Sequence, residues 1–194
     1  MMTVSVALGQ ALEALRNEPI ALVGGLAVSA RSEPRFTRDV DLAVAVKRDS
    51  DAEALVRRLV GSGYRVAAQI EQEATGRLAT VRLLPVDGAV VLDLLFASSG
   101  IESEIVHSST RLTLFADVTV PVASIGHLIA LKLLSRSPRR AQDDSDLRAL
   151  HAVADAAALA EARSALDLIT SRGYARDKHL QSEFNDWLRL MTAT

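Results

Sequence analysis

Gly24 to Leu42 reads GGLAVSARSEPRFTRDVDL, and the rest of the chain can be placed around it. A short apolar run, Pro19 to Val23, leads into the Gly pair. Asp39 and Asp41 then head a second apolar run, DVDLAVAV. The order is strand, tight glycine turn, short helix, polar loop with Pro34, and a strand carrying two carboxylates. Side chains alternate across a strand, so Asp39 and Asp41 share one face while Val40 and Leu42 take the other. Taken alone, Gly-Gly is a turn and Asp-x-Asp a solvated strand end.

Their combination asks for more. Two carboxylates a few ångströms apart repel unless a cation sits between them. Mg²⁺ takes oxygen ligands, commonly one or two carboxylates with water and phosphate oxygens completing its shell. Glycines let the backbone turn sharply and approach a bound group. A helix beginning just beyond aims free N–H groups at an anion. A phosphate-binding turn followed by a metal-binding strand is the equipment of phosphoryl or nucleotidyl transfer. Asp93, inside AVVLDLLF, adds a third acid. An ionised carboxylate in so apolar a strand is costly unless paired or metal-bound; the alternative is an exposed acid on an open sheet face. If strands 39–46 and 89–96 are neighbours, Asp93 stands beside Asp39 and Asp41, and the three can hold two metals.

The chain has 194 residues, 49% of them apolar, enough for one generous domain or a domain with a helical extension. A net charge of −2 does not mark the whole surface for nucleic acid, so any such surface is a local patch. The absence of cysteine excludes disulfides and thiolate metal sites and fits a reducing compartment. The N-terminus reads as an amphipathic helix on Val4, Leu8, Leu12 and Leu15 rather than a leader, and no run reaches membrane-spanning length. A cytoplasmic location is expected.

Further along, Ser50 is expected to cap a helix that Gly61-Ser62-Gly63 ends. Strands are expected over Tyr64–Ile70 and Thr80–Leu84, with a hairpin turn at Pro85-Val86-Asp87-Gly88. Lys132 shares a helix stripe with Ile125, Leu128 and Ile129, which aims it inward, where a cation can hold a triphosphate. A snorkelling surface lysine is the alternative. Asp143, Asp144 and Asp146 open the next helix, where acids also complement the dipole. Leu180, Phe184, Trp187, Leu188 and Met191 line a last helix as packing residues. The four histidines are scattered, without metal-ligand spacing.

With Gly24, Gly25, Ala27, Arg35, Thr37, Asp39 and Asp41 in this order, the stretch resembles the first motif of the nucleotidyltransferase (polymerase-beta-like) superfamily, and more closely its AbiEii/AbiGii-type toxin branch. Asp93 matches the branch's separate metal carboxylate. Lys132, Arg136, Arg139 and Arg140, followed by Asp143, Asp146 and Leu147, match its third motif, although Gln142 stands where an Arg is usual. Gly25-Leu26 replaces the common Gly-Ser, with Ser29 a turn later, so backbone N–H groups carry more of the phosphate contact.

The resemblance implies an α+β nucleotidyltransferase fold: a small mixed sheet flanked by helices over residues 1–121, then a helical portion over 122–194. It implies a Mg²⁺-dependent enzyme moving NMP from an NTP to a hydroxyl, the 3′ end of tRNA being the foremost acceptor, as the toxin of a toxin–antitoxin system with a cognate antitoxin. Asp39, Asp41 and Asp93 are then the metal ligands, with Lys132 also catalytic. Gly24, Gly25, Ser29, Arg35, Thr37, Lys132, Arg136 and Asp146 form the NTP side, with Asp146 orienting the cations. Asp93 would deprotonate the acceptor hydroxyl. Basic residues such as Arg35, Arg38, Arg136, Arg139 and Arg140 offer a surface to pyrophosphate or RNA. Two alternatives stay open: modification of a small molecule (an aminoglycoside-type antibiotic) or a protein, and an inactive binding protein of the same fold.

Overall fold

The structure, a computed structural model, describes residues 3–73, 75–86, 90–115 and 117–192. The first helix, α1 (Val4–Ala14), is capped by the Thr3 hydroxyl, which accepts from the Val6 N–H, and it buries Ala7, Leu8 and Ala11. Strand β1 (Ile20–Val23) is buried along its whole length. It runs straight into α2 (Gly24–Arg31), so the glycines open the helix instead of forming a separate turn.

Strand β2 (Asp39–Val44) alternates as expected: Val40 and Leu42 are buried, and Asp39 and Asp41 are half-buried on the other face. Helix α3 (Asp49–Gly61) begins one residue before Ser50, with Arg48 at the cap position and no side-chain cap. Asp49 does different work from a cap. Its carboxylate accepts from the Leu78 N–H at 3.1 Å and from Arg77 Nε at 3.0 Å, fastening the helix start to the next hairpin.

That hairpin is β3 (Tyr64–Glu71) and β4 (Leu78–Pro85), and β5 (Val91–Leu95) follows. Asp87 and Gly88 of the expected turn lie outside the described residues. The antiparallel pairing of β4 with β5 is nonetheless present. Residues 97–124, which carry no clear periodicity, form α4 (Glu102–Ser108), β6 (Thr110–Leu114) and β7 (Val118–Val122). They enlarge the sheet to seven strands in the order β3-β4-β5-β2-β1-β7-β6. The sheet is mixed. Strand β2 runs parallel to β5 and antiparallel to β1, while β1 runs parallel to β7.

Four helices follow among the described residues: α5 (Ile125–Ser135), α6 (Ala141–Val153), α7 (Ala156–Ser171) and α8 (Leu180–Thr192). Helix α5 is buried on nearly all sides, packing on α2, α6, α7 and α8. Phe184 and Trp187 of α8 are buried as the pattern predicts, and Trp187 meets the ring of His151 edge-on at 5.6 Å. The segment between α7 and α8 is tied back to the core. Lys178 Nζ donates to the Leu133 and Arg136 carbonyls at the end of α5, and Arg172 donates to the Gly100 carbonyl. No described helix is long and apolar enough to cross a membrane.

Candidate active site

Register brings the acids together. In the β2–β5 ladder Asp41 pairs with Asp93, so both side chains stand on the same face of neighbouring parallel strands, with Asp39 two residues away on that face. In the β4–β5 ladder Arg82 pairs with the same Asp93. Arg82 closes on it as a fork, Nε donating to Oδ1 at 2.9 Å and Nη2 to Oδ2 at 2.7 Å. Hydrogen bonding to Asp93 raises the Arg82 guanidinium above even its ordinary value, against the cost of desolvation. Arg82 was not anticipated from the sequence. Its signal was the demand that Asp93 be paired or metal-bound, combined with the register of the hairpin.

Asp41 has no such partner. Burial, then the like charges of Asp93 and Asp39, push its carboxyl up to about 6, against the pull of Lys132 and Arg82. It also lies tight against the start of α2. Gly24 has φ +65, and a Cβ there would fall 2.0 Å from Asp41 Oδ2. Only glycine meets both the left-handed conformation and the approach of the carboxylate. Gly24→Ala is therefore expected to displace Asp41 and cut activity by at least about a hundredfold. A Gly24→Ala protein that keeps wild-type turnover would contradict this placement.

Helix α2 has Val23 at its cap position and no side-chain cap, which leaves its first N–H groups for an anion to meet. A Cβ on Gly25 would come within 2.6 Å of Arg35 Nη2 and 3.2 Å of Thr37 Oγ1, so two of the NTP-side candidates close over that glycine. Ser29 does something else. Its hydroxyl bonds the Gly25 and Arg35 carbonyls and the Arg35 N–H, pinning the loop from beneath, and it does not line the cleft.

Behind this turn sits a second ionic cluster. Lys132 Nζ is 2.9 Å from Asp143 Oδ1 and 2.7 Å from Asp146 Oδ2. Asp146 also accepts from Arg35 Nη2 at 2.8 Å and Gln142 Nε2 at 3.2 Å, and Arg35 Nε lies 2.7 Å from its Oδ1 as an ion pair without hydrogen-bond geometry. Gln142, where an Arg is usual, thus still donates to Asp146. Burial works against the charged form of Asp146, but the hydrogen bonds from Lys132 and Arg35 prevail and hold its carboxyl below the ordinary value. Asp143 is more than a helix-end acid, being buried against Lys132 and Ser135. Arg136 turns instead to Asp144 at 2.6 Å and stands outside the cleft lining.

Gly24, Gly25, Arg35, Thr37, Asp39, Asp41 and Lys132 all open on one cleft of about 1290 Å³. Beyond the acids its walls carry Arg139, Arg140 and Arg176 and also Glu71, Glu73 and Asp177. Arg176 and Asp177, between α7 and α8, adopt left-handed backbone at φ 54 and 58, unusual for residues with a Cβ. His127 is buried away from the cleft. Its Nδ1 is 2.8 Å from Ser124 Oγ and 3.3 Å from Glu161, a contact that fastens α5 to α7.

The fit of a divalent cation rests on Asp39 and Asp41. Both face the cleft and both are oxygen donors, and the Asp41 carboxyl is raised first by burial and then by the negative charges of Asp93 and Asp39. Among the described residues no three acids or histidines stand together as a ready metal cluster, and both oxygens of Asp93 are already engaged by Arg82.

Comparison with known proteins bears on this geometry. The family described as "Nucleotidyl transferase AbiEii toxin, Type IV TA system" matches residues 7–189. No curated protein sequence matches the chain. The solution structure of the antibiotic-resistance factor ANT(2'')-Ia is similar at 22% identity and TM-score 0.55, over 94% of this chain and 100% of that one. The crystal structure of ANT(2")-Ia in complex with adenylyl-2"-tobramycin is similar at 18% identity and TM-score 0.56, over 88% and 99%. An antigenic nucleotidyltransferase-like protein from Paracoccidioides brasiliensis is similar at 22% identity and TM-score 0.50, over 92% and 89%. At these identities the likeness is one of fold, and the mixed sheet with its helices is the nucleotidyltransferase fold.

Proposed function

This chain belongs to the AbiEii nucleotidyltransferase toxin family and is a nucleotidyltransferase, and from that premise we propose that it moves NMP from an NTP to the 3′ hydroxyl of tRNA in a Mg²⁺-dependent reaction. The observation that carries the chemistry is Asp41, placed against the Gly24 backbone and opposite Asp93, with Asp39 beside it. The NTP phosphates would lie on the free N–H groups of α2, with Thr37, Arg35 and Lys132 on the flank. Asp146 holds Arg35 and Lys132 in place for that contact.

A divalent cation bound by Asp39 and Asp41 would withdraw charge from the reacting phosphoryl group. The acceptor oxygen attacks the α-phosphorus, the bond to the α,β-bridging oxygen breaks, and pyrophosphate leaves. The attacking hydroxyl gives up its proton to water as the new P–O bond forms, a loss that the negative charges of Asp41 and Asp93 would favour. The cationic residues stabilise the charge that develops on the leaving group.

Arg139, Arg140 and Arg176 on the cleft wall favour an anionic acceptor such as RNA. Glu71, Glu73 and Asp177 on the same walls favour a second reading, transfer to a polycationic small molecule of the aminoglycoside class. The family description supports a toxin role with a cognate antitoxin as partner. NTPs and tRNA meet in the cytoplasm, which we take as the site of action.

The acceptor is tested with Mg²⁺, each α-labelled NTP in turn, and either total bacterial tRNA or an aminoglycoside mixture. Label on tRNA that is absent with Asp41→Ala supports the main reading. Label on the aminoglycosides alone moves the acceptor to the second.

A further inference from the structure

We propose that Arg82 is the resident cation of Asp93 and keeps this carboxylate out of the metal-binding set. The site then takes a single divalent ion, on Asp39 and Asp41. The inference rests on the nucleotidyl-transfer reading above and concerns how its metal chemistry is divided.

Three independent observations carry it. The fork between Arg82 and Asp93 uses both carboxylate oxygens at 2.9 and 2.7 Å, the geometry in which a guanidinium holds a carboxylate most firmly. The pairing is built into the sheet, because Arg82 and Asp93 are register partners on adjacent strands and need no loop to bring them together. Arg82 also shields its partner. The Arg82 side chain is 48% exposed and lines the cleft, whereas that of Asp93 is 9% exposed and does not.

The charges agree with this division. Asp39, Asp41 and Asp93 bring three negative charges to one face, and Arg82 returns one, leaving a deficit that one divalent ion balances. Lys132, whose charge also reaches Asp41, is bonded to Asp143 and Asp146. Arginine keeps its proton across the whole working range, so the shield does not lift with pH. A carboxylate oxygen has two acceptor positions, and the fork occupies one on each oxygen. What closes Asp93 to a second metal is the positive guanidinium beside its remaining lone pairs, together with the burial of the carboxylate behind it. Arg82 acts through Asp93 and is a positioning residue.

The test counts metal and does not depend on turnover. Mn²⁺ is titrated into the full chain with a non-hydrolysable α,β-methylene NTP, and free Mn²⁺ is read by electron paramagnetic resonance. The wild type is expected to take one Mn²⁺ per chain, Arg82→Met two, and Arg82→Met with Asp93→Asn one again. Asp93→Asn alone, which leaves the sheet unchanged, is expected to keep the wild-type Mn²⁺ affinity. Two ions in the wild type would overturn the inference while leaving nucleotidyl transfer standing. So would an affinity loss of about tenfold or more in Asp93→Asn, the size expected when a metal-site group is removed. No nucleotide-dependent Mn²⁺ uptake at all would overturn the transfer reading and this inference together.

Discussion

Asp41→Asn is expected to abolish transfer and, at the same time, to make the metal-free protein more stable. The loss of activity follows if Asp41 holds the proposed metal beside the reacting phosphate, and should be at least about a thousandfold. The gain in stability follows from the carboxyl's position. Unfolded, it ionises near 3.8; folded, burial and the charges of Asp93 and Asp39 push it up to about 6. Between those values the folded chain holds a proton that the unfolded chain releases, so this group makes stability fall as pH rises through the window. Above it the penalty is full, about 3 kcal/mol.

Asparagine keeps the shape against Gly24 and loses the charge. In EDTA at pH 7.5 the variant should melt higher by on the order of 5 °C. The advantage should shrink to about half by pH 5, where the wild-type carboxyl is largely protonated in the folded state. Equal melting temperatures across pH 5 to 7.5 would contradict the crowding of charge at Asp41. Such opposition between stability and activity is expected where a site is built for a ligand and not for the empty fold.

Lys132→Met is expected to do the reverse and lose both. Its ammonium is the shared partner of Asp143 and Asp146, whose side chains are 2% and 0% exposed. Removing one member of a buried ionic cluster strands the other charges and costs about 3–5 kcal/mol. Arg140 and Arg35 still touch the two acids, which places the effect at the lower end. The melting temperature should fall by on the order of 10 °C. Adding Asp143→Asn to Lys132→Met should restore part of that fall without restoring transfer, because the stranded charge is gone but the cleft cation is still missing. A single variant that melts within about 2 °C of wild type would show that the lysine is not the hub of this cluster.

Much of the site was legible in one stretch of sequence because its logic is local. The period of two in DVDL fixes a shared face for Asp39 and Asp41, and the Gly pair marks where α2 begins, although it is the helix's first two residues and not a turn ahead of it. Lys132 could be aimed inward from its stripe alone. What stayed hidden depends on pairing between distant segments. The Arg82–Asp93 fork exists only because β4 and β5 align those positions. Asp143 looks like an ordinary first-turn acid until α5 and α6 pack and bring it to Lys132. Ser29, one turn beyond the glycines, looks suited to phosphate, yet its hydroxyl is drawn to the backbone of its own helix and loop. Residues 110–122 are short, mixed in polarity and interrupted by Pro121. They become strands because β1 offers a parallel edge to β7, a partner nearly a hundred residues upstream.

The central claim is transfer of a nucleotide to an RNA 3′ hydroxyl at the Asp39–Asp41 site. It is tested most directly by following pyrophosphate release and label incorporation together, with Mg²⁺, NTP and tRNA whose 3′ end is either intact or periodate-oxidised. The account predicts equal pyrophosphate and label on intact tRNA from the wild type, and neither on oxidised tRNA or with Asp41→Asn. Pyrophosphate or label that persists with oxidised tRNA, or with Asp41→Asn, would contradict it.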